Sequence, residues 1–247
     1  MGLLRDLTAA GRILRAAGHG VKGLWLIRTR FGGFTPAERE ACIEGWAAGM
    51  LAVLNIQLAV EGARPREGRL LIVSNHTSWL DILAIQAARC SRFIAKAEIR
   101  SWPLIGPVSA GAGTLFIERA QRRDALRTVH RTAEALGAGD VVAVFPEGTT
   151  TDGVEMRPFH ANLLQAAISA DARVLPVGIR FVDAATGRPS SVPTYIGDDT
   201  LMASLWRTLR ADPLRAVVRF GTPEPAAGRN RRQWAEDLQR EVDILRR

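Results

Sequence analysis

Several features that would place a chain at once are missing here. The 247 residues hold two cysteines, Cys42 and Cys90. They lie far apart and match no metal-ligand or redox spacing, so a disulfide framework is excluded and two reduced thiols in a cytosolic setting are predicted. No uninterrupted apolar run reaches the roughly 18 residues of a membrane-crossing helix. The first residues carry neither a signal-peptide core nor a small-residue cleavage site. No GxSxG occurs, so the nucleophile elbow of a serine hydrolase is absent. There is no internal repeat and no low-complexity tract.

What is present is a globular composition. Apolar residues make up 47% of the chain, and the length suffices for one large α/β domain or two small ones with ample core. The formal net charge is +8, which implies an anionic partner: nucleic acid, a membrane surface or an acidic substrate. The basic residues concentrate in the two end helices without aromatic interleaving, which argues against nucleic acid.

Residues 3–31 predict an amphipathic helix. Leu3, Leu4, Leu7, Ile13, Leu14, Val21, Leu24, Trp25 and Ile27 supply its apolar side; Arg5, Arg12, Arg15, Lys22, Arg28 and Arg30 supply the polar side against one acid, Asp6. A basic amphipathic helix with Trp suits a membrane interface. The alternative is an ordinary surface helix packed on the domain. Gly18, Gly20 and Gly23 weaken helix formation. Thr35-Pro36 opens a second helix, with Cys42, Ile43, Trp46, Met50, Leu51 and Leu54 on its apolar face. Residues 1–54 therefore read as a membrane-associating helical hairpin, and residues 55–247 as the main domain.

In that domain Ile56, Leu58 and Val60 alternate as in an edge strand. Strands are also expected at 71–73, 93–95, 114–117, 141–145, 174–181 (interrupted by Pro176) and 217–220. Helices are expected after Trp79 and at 121–137, 161–170 and 229–247. Residues 102–107, bounded by prolines, read as a rigid apolar segment. Strands alternating with helices predict an α/β fold with a mixed β-sheet flanked by helices.

The stretch LIVSNHTSWLD, residues 71–81, carries the sharpest signal. A short apolar run stops at Ser74-Asn75, His76 follows, and Thr77 or Ser78 can cap a helix that has Asp81 in its first turn. On one continuous helix His76 and Asp81 would point about 140° apart. A turn at 75–78 removes that obstacle and lets Asp81 accept a hydrogen bond from the imidazole, as a general base requires. The plainer alternative has His76 satisfying a backbone group and Asp81 facing the helix dipole. Two other strands end on chemistry: Gly113-Thr-Leu-Phe-Ile-Glu-Arg119, and Phe145-Pro-Glu-Gly-Thr-Thr-Thr151. Open α/β sheets bind ligands beyond the carboxyl ends of their strands, so parallel neighbours would bring His76, Arg119 and Glu147 together.

These blocks resemble a known family. Asn75-His76 with Asp81 is similar to the NHxxxxD signature of the glycerolipid acyltransferases. Gly113 to Arg119 resembles their GxxFIxR block, Phe145 to Thr149 their FPEGT block, and Leu175-Pro176-Val177 their fourth block. All four occur in order across residues 70–180. The resemblance implies an αβα sandwich and transfer of a fatty acyl group from an acyl thioester, acyl-CoA or acyl carrier protein, to a lysolipid hydroxyl. It implies His76 as general base, Asp81 as its partner, and substrate binding by Asn75, Gly113, Phe116, Arg119, Glu147, Gly148 and Thr149. No metal and no cofactor beyond the thioester co-substrate is implied. The expected place is the cytoplasmic face of the inner membrane, peripheral or monotopic, with an anionic lipid surface as partner.

One departure bears on the acceptor. Many family members that acylate lysophosphatidic acid have arginine directly after FPEGT; here the residue is Thr150. The run FPEGTTTDG with Arg157-Pro158-Phe159 resembles the lyso-ornithine lipid branch. Arg157, Lys96 and Arg100 are the cations that could compensate. Lysophosphatidic acid is kept as the first expected acceptor and lyso-ornithine lipid as the second. A non-catalytic membrane adaptor is the rival of another class, and it would have no use for His76 and Asp81 together.

Overall fold

The computed structural model describes residues 2–65, 68–118 and 122–247. Two helices come first, α1 (Gly2–Thr29) and α2 (Pro36–Val53). Then follow β1 (Ile56–Glu61), β2 (Leu70–Ser74), α3 (Leu80–Ala88), β3 (Arg92–Lys96), α4 (Ile105–Gly111), β4 (Leu115–Ile117), α5 (Arg122–Gly137) and β5 (Val141–Val144). The chain closes with α6 (Leu164–Ser169), β6 (Arg173–Asp183), α7 (Leu201–Arg210), β7 (Leu214–Phe220) and α8 (Arg231–Leu245).

The described strands form a seven-stranded sheet in the order β1-β7-β6-β2-β5-β3-β4. Every pairing is parallel except β6 with β7. The carboxyl ends of β2, β5, β3 and β4 therefore share one edge. β2 is buried along its whole length, as expected of a parallel strand covered on both faces. Its side chains alternate between two cores. Leu70 and Ile72 join Leu51, Ala84, Ile85 and Leu209 on one side. Leu71 and Val73 join Leu136, Leu164, Trp234 and Leu238 on the other. The result is an αβα sandwich, with α1, α2, α3 and α7 on one face and α5, α6 and α8 on the other.

Residues 102–107, read as a rigid apolar segment, lead from a 3-10 turn over Ala97–Ser101 into α4, which begins at Ile105; Pro107 falls in that helix's first turn, where proline is tolerated. One sequence expectation needs correction. Pro176 does not interrupt β6. Its carbonyl accepts the N–H of Gly221, and in a strand the N and O of one residue face the same edge. The missing N–H of Pro176 thus faces away from β2, and that ladder loses nothing. The helix α7 was not anticipated, although Leu201, Leu205 and Leu209 recur at helical spacing and Thr200 caps its start.

The N-terminal helices pack closely despite their glycines. α1 runs unbroken through Gly18, Gly20 and Gly23. A Cβ on Gly23 would lie 2.5 Å from the Trp46 indole nitrogen, and one on Gly20 2.6 Å from Leu104. These glycines let α2 and the loop before α4 approach, which offsets their cost to the helix. The Trp46 indole donates to the His19 carbonyl at 3.0 Å, while the His19 ring lies 2.8 Å from the Trp46 carbonyl. α2 starts with a capping box between Thr35 and Glu38, and its Glu40 and Glu44 pair with the buried Arg89 after α3.

α1 meets the sandwich with small and polar residues. Ala9 is buried, Asp6 pairs with Arg210, Arg5 with Asp212, and Arg12 donates to the Leu209 carbonyl. Ile13 also packs on the core and Ile27 lies against Gly111, but Leu4, Leu7, Leu14, Val21 and Trp25 lie outside, all at least half exposed. Spacings of three, four and seven align them in one stripe. No described helix is long and apolar enough to cross a membrane.

Candidate active site

At the carboxyl end of β2 the chain makes the turn Asn75–Ser78 before α3. Asn75 is buried, and its amide donates to the Ile179 carbonyl and accepts the Ile179 N–H, each at 2.9 Å. It bridges β2 to β6. The expected cap is only partly realised: Trp79 stands at the N-cap without a side-chain bond, and Ser78 Oγ accepts the Leu80 N–H at 3.2 Å.

Asp81 is fully buried and folds back over this turn. Its Oδ2 accepts the N–H groups of Thr77 at 2.7 Å and Ser78 at 2.9 Å, and lies 2.9 Å from Nδ1 of His76. An oxygen already accepting two backbone donors is an acceptor for the ring as well, so Nδ1 carries the proton and Nε2 presents its lone pair. Among the described residues none bonds to Nε2. The ring stacks on Phe145, centroids 3.8 Å apart and planes 6° apart, and Phe145 stands next to Phe93. The His76 side chain retains 17% exposure against 0% for Asp81, so the base can be reached and its partner cannot.

β5 is the parallel neighbour of β2, and the loop after it completes the turn. Glu147 Oε1 accepts the His76 N–H at 2.8 Å, and Oε2 accepts the Arg157 N–H at 2.9 Å. The Thr151 N–H donates to the His76 carbonyl at 2.8 Å. Burial pushes the Glu147 carboxyl above its ordinary 4.5, against the opposing pull of those two N–H groups and of His76 and Arg246. Gly148 has φ +74°, and a Cβ there would come within 3.1 Å of the His160 ring. Thr149 is exposed beside it. Arg246, after α8, donates to the Gly153 and Val154 carbonyls and holds the far side of this loop.

A third segment reaches the turn, and nothing in the sequence marked it. The Tyr195 N–H donates to the Thr77 carbonyl at 2.9 Å, and the Tyr195 carbonyl accepts the Thr150 hydroxyl. Both contacts use backbone atoms of Tyr195, so no side-chain pattern could have revealed them.

The third motif is placed in part. β4 lies at the sheet edge, separated from β5 by β3. Gly113 has φ +80° and its carbonyl accepts from Arg92 at 2.8 Å. Phe116 lines a cleft of about 560 Å³ beyond β3 and β4, together with Arg100, Arg127 and Arg131. Arg119 lies outside the described residues. Of the compensating cations, Arg100 is in this cleft, Lys96 pairs weakly with Glu98 at 3.7 Å, and Arg157 meets Glu147 through its backbone.

The family model described as Acyltransferase matches residues 56–180. A lyso-ornithine lipid O-acyltransferase of Pseudomonas aeruginosa is 37% identical, the match covering 99% of this chain and 94% of that protein. A 1-acyl-sn-glycerol-3-phosphate acyltransferase of Neisseria gonorrhoeae is 39% identical over 80% of this chain and 79% of that one. The crystal structure of the 1-acyl-sn-glycerophosphate acyltransferase PlsC from Thermotoga maritima superposes with a TM-score of 0.67 at 21% identity, covering 94% of this chain and 95% of that chain. With its HxxxxD turn formed, its sheet matching that fold and its sequence matched on both counts, the chain belongs to the acyltransferase family.

Proposed function

We propose that this acyltransferase moves a fatty acyl group from an acyl thioester to the free hydroxyl of a lysolipid, with His76 as general base. The observation that carries the reading is the buried Asp81 carboxylate on Nδ1 of His76, which leaves Nε2 open. Nε2 takes the hydroxyl proton as that oxygen attacks the thioester carbonyl. The C–S bond then breaks, and the departing thiolate takes the proton from the imidazolium. A hydroxyl needs this activation, whereas the thioester is already reactive. Asp81 orients the ring and stabilises its charged form. Glu147 and Asn75 hold the turn by their backbone contacts. Gly148, Thr149, Gly113 and Phe116 shape the substrate surface, and Arg119 receives the acceptor's anionic group.

Lysophosphatidic acid is the first acceptor in this reading. A specific observation favours a second, lyso-ornithine lipid: the position after FPEGT is Thr150, whose hydroxyl is taken by Tyr195, and the relative aligned over nearly the whole chain bears that name. The donor is acyl-CoA or acyl carrier protein, and no other cofactor is assigned. The exposed stripe of α1 would seat the protein peripherally on the anionic cytoplasmic face of the inner membrane. The test is an acyl-transfer assay over a panel of lysolipids with both donors. Ester formation on a lysolipid hydroxyl by wild type but not by His76→Ala supports the reading. Absence of transfer to every lysolipid, with vesicle binding intact, would favour the adaptor.

A further inference from the structure

We infer that Arg207 is a positioning residue for this reaction: it fixes the strap Val192–Asp199 so that Tyr195 locks the catalytic turn. The inference rests on the assignment of His76 as base, and it adds a residue distant in sequence from every motif.

The turn leaves no peptide group loose between His76 and Ser78. The His76 N–H goes to Glu147 and its carbonyl to Thr151; the Thr77 and Ser78 N–H groups go to Asp81; the Ser78 carbonyl accepts from Asp81. The remaining group, the Thr77 carbonyl, is taken by Tyr195. The peptide whose N–H meets Asp81 thus begins the residue whose carbonyl meets the strap. Any shift of the strap pulls on the residue between the imidazole and its carboxylate.

The strap has little structure of its own. It belongs to the long connection of residues 184–200 between β6 and α7. Long irregular segments in compact domains serve function when they are held. Arg207 supplies the holding from the body of α7. Its Nε donates to the Val192 carbonyl at 2.9 Å, and Nη2 donates to the Thr194 carbonyl and to Asp199 Oδ2, the latter at 2.9 Å. These bonds bracket Tyr195 on both sides. A planar guanidinium can reach two carbonyls and a carboxylate together; a lysine ammonium is one point charge and cannot reproduce the fork. α7 itself is tied to the site, since the Trp79 indole donates to Ser204 Oγ at 3.2 Å. The Thr150 hydroxyl on the Tyr195 carbonyl joins the strap to the loop after β5.

The experiment compares wild type, Arg207→Ala, Arg207→Lys and Thr150→Val, using the lysolipid and thioester that wild type turns over best. For Arg207→Ala we expect kcat to fall about tenfold to a hundredfold, the scale of a small misplacement of reacting groups, with the KM of the thioester unchanged. Hydrogen–deuterium exchange should quicken in peptides covering 192–199 and 75–78 and nowhere else. Arg207→Lys keeps the Asp199 pair, so its melting temperature should return to that of wild type while kcat stays reduced. Thr150→Val should lower kcat in the same direction without a change at Arg207. A folded Arg207→Ala protein with wild-type kcat, or one whose loss is restored fully by lysine, overturns the inference. Wild type without any lysolipid turnover would instead overturn the proposed function.

Discussion

Asp81 Oδ2 lies 2.9 Å from Nδ1 of His76 and accepts the Thr77 and Ser78 N–H groups on the same oxygen. One atom therefore sets both the ring tautomer and the backbone that carries the ring. His76→Ala should abolish acyl transfer in a protein that still folds, since general-base catalysis contributes about 10²- to 10⁴-fold and the substrate loses its anchor too. Asp81→Asn should cost less, because an amide oxygen can still accept the two N–H groups. Initial rates with circular-dichroism controls decide it; wild-type turnover by folded His76→Ala would sink the assignment.

Arg119 follows Glu118, which lines the cationic cleft beyond β4. Arg119→Ala should raise the KM of the acceptor more than that of the thioester. A charge-assisted hydrogen bond is worth roughly 1.5–3 kcal/mol, a loss of about tenfold to a hundredfold. Separate titration of the two substrates checks this, and an effect confined to the donor would reassign the residue.

Burial raises the Glu147 carboxyl above 4.5. The folded state then holds this proton more tightly than the unfolded chain, so stability falls as pH rises from 4.5 through the higher folded value. Glu147→Gln lacks that titration, so the stability of wild type relative to the variant should decline across the same window. Urea midpoints of both proteins in a pH series measure it. A constant difference would mean that the N–H groups of His76 and Arg157 balance burial, and a rising one that they outweigh it. Glu147→Gln should also slow turnover, because its NH₂ faces one of those two donors.

The exposed stripe of α1 yields a membrane prediction that spares the fold. Deleting residues 1–54 would strip Ala47, Leu51 and Leu54 from the core and leave Arg89 buried without Glu40 and Glu44. Replacing Leu7 and Leu14 by glutamate touches only exposed positions. Each inserted leucine is worth roughly 1.5–3 kcal/mol, so the double variant should bind anionic vesicles about a hundredfold more weakly or worse. Arg5 is paired with Asp212 and Arg12 with the Leu209 carbonyl, leaving four of the six cations counted in the sequence for lipid, each worth roughly 1 kcal/mol near an anionic surface. Binding should weaken as salt rises, the Debye length shrinking from about 10 Å at 0.1 M to about 3 Å at 1 M. Co-sedimentation of both proteins across a salt series is the measurement; equal binding by the double variant would remove α1 as the anchor.

The sequence alone determined the parts whose signal is local. The apolar run 71–73, the end of the strand at Ser74-Asn75 and the opportunity for His76 to meet Asp81 follow from residues a few positions apart, and so does the edge character of β1. The ordered motifs carried the family, because each block ends a strand on a distinctive side chain. Tertiary structure decided what depends on distant backbone. Glu147 reads as a substrate ligand in the sequence; the fold adds that its two oxygens accept the N–H groups of His76 and Arg157. Asn75 likewise turns its amide to Ile179, 104 positions away. Pro176 reads as a break until its missing N–H is seen to face away from β2. Tyr195 and Arg207 lie in no motif, because a carbonyl or an N–H looks the same on every residue. Only the fold decides which of them meets the catalytic turn.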